Sequence, residues 1–123
     1  MDEAIKSYKD LRLWREAVDL VVRVYELTKS MPKDELYGLT SQMRRAAVSI
    51  PANIAEGYGR ENRGAYAHHL RIAQGSLKEL ETHLVIAVRV KFVQECAFEP
   101  LAQQCDTIGT MLRGLISAVE PET

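Results

Sequence analysis

The chain has 123 residues, 46% of them hydrophobic and 27% charged, with a formal net charge of -1. That length fits one domain able to bury its own core without a disulfide or a structural metal, and the composition excludes a disordered chain. With no apolar run of about 18 residues or more, and no basic start followed by an apolar block over Met1–Lys6, no membrane segment or secretory leader is expected, and the location expected is cytoplasmic.

Apolar residues recur at spacings of three and four throughout, which predicts four helices at about 10–30, 35–58, 63–91 and 98–119. In the first, Leu11, Trp14, Val18, Val21, Tyr25 and Thr28 form one stripe, which Leu13, Ala17, Leu20, Val24 and Leu27 widen. Asp10 is its expected N-cap. Pro32 stops it, and Asp34 is placed to cap the next helix.

The second helix carries Leu39, Met43, Ala46, Ala47, Ile50 and Ile54 on one face, and Gln42, Arg45, Ser49, Asn53 and Glu56 on the adjoining flank. Pro51 predicts a kink near Ala47–Ile50, with Ser49, another side chain or water taking up the freed carbonyl. The stretch Gly57–Gly64 ends this helix, and Asn62 is placed to cap the third. There, Tyr66, Leu70, Ala73, Leu77, Leu80, Leu84 and Ala87 make a bundle seam beside a mixed flank containing His69, Ser76, Glu79 and His83. The fourth helix uses Leu101, Cys105, Ile108, Leu112, Leu115 and Val119, and Pro121 marks a frayed tail. Short connections and no strand-like alternation predict an all-α, antiparallel up-down four-helix bundle in a single domain, 1–123.

The residues offer little to an enzyme. Di-iron bundles use paired Glu-x-x-His motifs, which are missing here, and His68, His69 and His83 have no matching ligand helix. Cys96 and Cys105 form no Cys-x-x-Cys pair and read as reduced side chains, Cys105 in the core. Ser49 and Ser76 lack a local histidine base with its orienting group. No catalytic residue, metal or cofactor is therefore expected.

Charge is unevenly spread. Between Ser41 and Gly75, Arg44, Arg45, Arg60, Arg63 and Arg71 face only Glu56 and Glu61, whereas Arg113 is the one cation after Glu95 among five acidic side chains. Folding can gather the five arginines at one end and side of the bundle, where guanidinium groups would hold phosphate. Tyr58 and Tyr66 lie among them and can either stack on bases or fill the bundle end. The competing reading pairs Arg45 with Glu56 or Glu79 and leaves the other arginines solvated. Ser49, Asn53 and Glu56, facing Ser76 and Glu79 with Gln42 nearby, read as a polar seam that fixes helix pairing, joins subunits or contacts a protein partner.

Three motifs taken together, Arg44-Arg45-Ala46-x-x-Ser49-Ile50, Asn53-Ile54-Ala55-Glu56-Gly57 and Gly75-Ser76-x-x-Glu79-Leu80, resemble the four-helix-bundle protein family encoded in intervening sequences of bacterial 23S rRNA genes. Leu11-Arg12-Leu13-Trp14, Val24-Tyr25 and the Pro32 turn extend the likeness over nearly the whole chain. The resemblance implies a non-catalytic bundle that assembles with itself as a ring, usually a homopentamer. The chain is also similar to the accessory variability determinant of diversity-generating retroelements, which forms such a ring, binds RNA and DNA and associates with a reverse transcriptase. That relative is strongly basic and this chain is not, so a local basic patch is what carries over. The function expected is a non-catalytic oligomeric module that binds nucleic acid or a nucleic-acid-processing partner through its arginines; the alternative is a structural or adaptor bundle with a protein partner.

Overall fold

A computed structural model describes residues 5–120. Within them lie four α-helices, α1 (Arg12–Thr28), α2 (Leu39–Tyr58), α3 (Arg63–Arg89) and α4 (Glu95–Val119), with short 3-10 turns at Tyr8–Asp10 and Lys33–Glu35. Helices consecutive in sequence pack on one another, α4 closes back on α1, and the diagonal pairs α1/α3 and α2/α4 make no close backbone approach. This is the expected antiparallel up-down bundle, with its core along the central axis.

The core follows the predicted faces on α2, on α3 and on α4 as far as Leu112, beyond which Ile116 is buried in place of the expected Leu115 and Val119, which are only partly covered. Met43, Ala46, Ala47, Ile50 and Ile54 of α2 meet Leu70, Ala73, Leu77, Leu80, Leu84 and Ala87 of α3, and α4 adds Leu101, Cys105, Ile108 and Leu112. Each large side chain fully withdrawn from water contributes about 1.5 to 3 kcal/mol. On α1 the ranking of stripes is reversed except at its end: Leu13, Ala17, Leu20 and Val24 of the widening stripe are buried, whereas of the first stripe only Thr28 is buried, Trp14 and Val21 being partly covered and Tyr25 exposed. Both stripes are apolar, so periodicity does not choose between them. The choice is made by how α1 seats between α2 and α4. Gln104 locks that seating, its Nε2 donating to Asp19 Oδ2 (2.9 Å) and to the Glu16 carbonyl (3.3 Å).

Several helix ends differ from expectation. Asp10 does not cap α1; its carboxylate closes a capping box with Ser7 around the preceding 3-10 turn, and Leu11 stands at the N-cap without a side-chain bond. Asp34 does not cap α2 either. Glu35 ends a 3-10 turn and residues 36–38 turn without joining α2, while Glu35 Oε1 accepts the Leu39 amide at 3.1 Å, so α2 starts four residues later than predicted. α4 starts three residues early because the Ala97 and Phe98 amides already bond the Gln94 carbonyl, closing the first turn ahead of Pro100. α3 ends at Arg89, two residues short of the expected boundary. Lys91, at φ 67°, takes the left-handed position usual for glycine, while the Phe92 and Lys91 amides bond the Ala87 and Val88 carbonyls. α2 is helical through Pro51, whose ring is buried. Asn62 caps α3 as expected, accepting the Ala65 amide at 2.7 Å. The expectation for Pro121 lies outside the described residues.

Candidate functional site

At the α2–α3 interface a glycine lets the two helices approach closely. A Cβ on Gly57 would lie 2.8 Å from His69 Cβ and 3.2 Å from the Tyr66 carbonyl oxygen. Gly57 therefore lies inside α2 as a contact point, one residue before the helix ends. The polar flank of α2 is thereby pressed against the mixed flank of α3.

Along that contact a chain of hydrogen bonds runs from Ser76 through Ser49 and Asn53 to His69, and the Glu56–Arg60 pair stands 4.0 Å beyond it. Asn53 Nδ2 donates to the Ser49 carbonyl (2.9 Å) and to Ser49 Oγ (3.0 Å), and the Ser49 and Ser76 hydroxyls share a hydrogen bond at 2.8 Å. The Ser49 hydroxyl is thus occupied by Asn53 and Ser76 rather than by the carbonyl that Pro51 frees. Since the Asn53 amine faces Ser49, its Oδ1 faces His69 Nδ1 (3.1 Å), and that nitrogen carries the ring proton. His69 Nε2 then lies 4.0 Å from Glu56 Oε1, which also accepts from Arg60 Nη2 at 2.9 Å. Ser49, Asn53, Ser76 and His69 are half-buried, with the His69 side chain only 14% exposed, while Glu56 and Arg60 reach solvent.

Three of the six expected seam residues, Ser49, Asn53 and Ser76, belong to this network, and Glu56 stands at its edge, 4.0 Å from His69. Gln42 and Glu79 do not. They edge a polar recess of about 420 Å³ shared with Arg45, Ala46, Ser49 and Ser76, and neither bonds another described side chain. The bridging member, His69, was visible in the sequence only as one of several polar residues on the α3 flank.

The five arginines are not gathered at one end. From Arg45 to Arg60 is fifteen residues of continuous chain along α2 and its following turn, about 22 Å at the helical rise. Three of the five are held by the fold. Arg60 pairs with Glu56. Arg63 donates through Nε to the Val119 carbonyl and through Nη2 to that of Ala118, both at 3.0 Å, satisfying the last turn of α4. Arg71 pairs with Glu120. The pairing expected of Arg45 with Glu56 or Glu79 does not form among the described residues. Tyr58 and Tyr66 meet edge to face with ring centroids 6.1 Å apart and fill the bundle end; burial, then neighbouring Tyr58, raises the Tyr66 phenol above its ordinary range.

Arg44 and Arg45 remain, and they border an open groove of about 580 Å³ between α1 and α2. Arg44 Nε donates to Thr28 Oγ1 (2.9 Å), and its guanidinium lies 4.7 Å above the Tyr25 ring. Arg45 makes no ion pair among the described residues. Tyr25, Leu36, Tyr37 and Val48 supply the apolar lining, and none of the eight lining residues is acidic. Neither the groove nor the place of Tyr37 in it is implied by helical periodicity, because Leu36 and Tyr37 belong to the turn before α2.

Among the described residues no group of three or more His, Cys, Asp or Glu side chains stands together as a metal site. His83 is buried with its Nδ1 unbonded, and His68 stacks edge to face on His69 at 5.6 Å. Burial, with lesser contributions from Glu81 and Asp106, pushes the Cys105 thiol up to about 12. No described helix is long and apolar enough to cross a membrane.

A four-helix bundle with a hydrogen-bonded α2–α3 seam and a groove edged by two arginines defines a small all-α protein of the up-down bundle class. The chain belongs to the family of 23S rRNA-intervening sequence proteins, whose family model matches residues 9–114. Its fold is shared with the crystal structure of a protein of unknown function from the S23 ribosomal protein family of Bacteroides thetaiotaomicron VPI-5482. The two are 23% identical and superpose with a TM-score of 0.79 over 85% of this chain and 97% of the other. No curated protein matches.

Proposed function

We propose that this protein is a non-catalytic, self-associating bundle that binds nucleic acid through the α2 surface bearing Arg44 and Arg45. The observation that carries the reading is that two consecutive arginines border one groove whose lining contains no carboxylate. Guanidinium matches phosphate bidentately and without reading sequence, and Arg60, Arg63 and Arg71, which have intramolecular partners, take no primary part. Near-neutral net charge fits a local patch better than a wholly basic surface.

Self-association draws support from a second surface. Val85 and Ile86 of α3 and Val90 just past its end are 44%, 43% and 49% exposed, an apolar strip suited to a neighbouring copy. A closed ring, with five subunits as the expected number, would place every such strip against the next protomer. The same strip favours a second reading, an adaptor bundle that docks a protein such as a reverse transcriptase. A cytoplasmic site of action suits either reading.

The test is RNA and DNA binding by the purified protein at low and moderate salt, with sedimentation confirming that an Arg44→Ala/Arg45→Ala variant assembles like the parent. Binding that weakens steeply with salt and is lost in the variant supports the proposal. No binding at low salt refutes it and turns the search to a protein partner.

A further inference from the structure

We infer that the groove between α1 and α2 takes single-stranded nucleic acid, with a base stacked on Tyr37 and the adjoining phosphates on Arg44 and Arg45; this rests on the reading of those arginines as a phosphate surface. Tyr37 is 94% exposed, beside Leu36 at 45% and Val48 at 43%. An aromatic ring so uncovered contributes nothing to the core, yet it borders the groove with both arginines.

The arrangement is built on one side and open on the other. Arg44 is held from beneath: Thr28 Oγ1 donates to the Val24 carbonyl at 2.8 Å and accepts Arg44 Nε, while the guanidinium covers the Tyr25 ring. Its Nη atoms bond no described residue, so four N–H donors on a held side chain are left for a ligand at little further entropic cost. Tyr25, covered by Arg44 on one face, acts as the support. Tyr37 is left as the stacking platform. The carboxylate of Glu35, in the same turn, is turned toward the α2 N-terminus, where it accepts the Leu39 amide.

Charge and shape together select the ligand. The absence of carboxylates from the lining favours a polyanion, and the apolar share of that lining favours one that also carries flat hydrophobic rings. A groove of about 580 Å³ has room for a base or two and not for a duplex. In a duplex the base faces are stacked on each other and closed to a tyrosine; in a single strand they are free, and stacking tolerates any sequence.

The experiment is fluorescence anisotropy at low salt with the full chain, using labelled oligo-uridylate, oligo-thymidylate and a blunt RNA duplex of equal length. The expected result is single strands bound at least tenfold more tightly than duplex. Tyr37→Ala should weaken single-strand binding about tenfold, with Tyr37→Phe largely restoring it and duplex binding unchanged. At 94% exposure the position tolerates either substitution without loss of fold. Equal affinity for single strand and duplex, with Tyr37→Ala altering neither, would overturn the inference and leave nucleic-acid binding intact. Displacement of the single strand by poly-glutamate at equal charge concentration would also overturn it, by revealing a surface for any polyanion. Failure of every nucleic acid to bind would remove the parent reading as well.

Discussion

Replacing Gly57 with alanine separates helix propensity from packing, because the two act in opposite directions. Alanine in place of a helical glycine gains up to about 1 kcal/mol from propensity, and less in a last turn such as this one. At Gly57, however, the added carbon would stand 2.8 Å from His69 Cβ, 3.0 Å from Tyr66 Cδ1 and 3.2 Å from the Tyr66 carbonyl oxygen. Carbon atoms pack at about 3.5 to 4 Å, so α3 must retreat by roughly 1 Å at its closest approach to α2. The carbonyl is backbone and cannot swing aside as a flexible side chain would. Overpacking of this kind costs about 1 to 3 kcal/mol. The net expectation is a loss of about 1 to 2 kcal/mol, seen as a fall in melting temperature of roughly 3 to 10 °C for a domain this size. Gly75→Ala is the internal control: its Cβ would meet nothing within 4 Å, so propensity alone acts and stability rises by about 0.5 to 1 kcal/mol. Both variants are measured by chemical denaturation followed by circular dichroism, at one protein concentration because assembly shifts apparent stability. A Gly57→Ala protein as stable as Gly75→Ala would refute the close-approach argument.

Two further outcomes follow from the seam and the thiols. Asn53→Ala strands the partners at Ser49 and His69, an expected cost of about 1 to 3 kcal/mol less a few tenths regained in helix propensity. Arg60→Ala opens an ion pair with both side chains about half exposed and costs about 0 to 1 kcal/mol; matching melting and sedimentation profiles for the two variants would count against the network. Maleimide should label exposed Cys96 readily in the native protein and reach Cys105 only on unfolding, since burial holds that thiol near 12 against an ordinary 9.0. The raised value favours the folded state fully below pH 9.0, and that share is lost as pH climbs toward about 12; native labelling of Cys105 at neutral pH would contradict its placement.

Much of the bundle was legible in the chain because helix periodicity is a local property. The α3 stripe from Leu70 to Ala87 and the α2 face from Met43 to Ile54 are buried as read, and Asn62 caps where its position suggested. The errors fall where two local solutions compete. Asp10 and Asp34 are both plausible N-caps, yet a 3-10 turn on one side and the Glu35 carboxylate on the other decide the true ends of α1 and α2.

The sequence by itself determined four amphipathic helices, their order, their short connections and the polar flank on α2, for spacing and turn residues act within a few positions of one another. Only the tertiary structure decided which α1 stripe faces inward, that His69 completes the seam, and that Arg60, Arg63 and Arg71 are engaged while Arg44 and Arg45 line a groove. The physical reason is distance along the chain. Arg63 meets carbonyls more than fifty residues away, and Arg44 is placed by a threonine sixteen residues earlier on another helix, so neither role has a local signal.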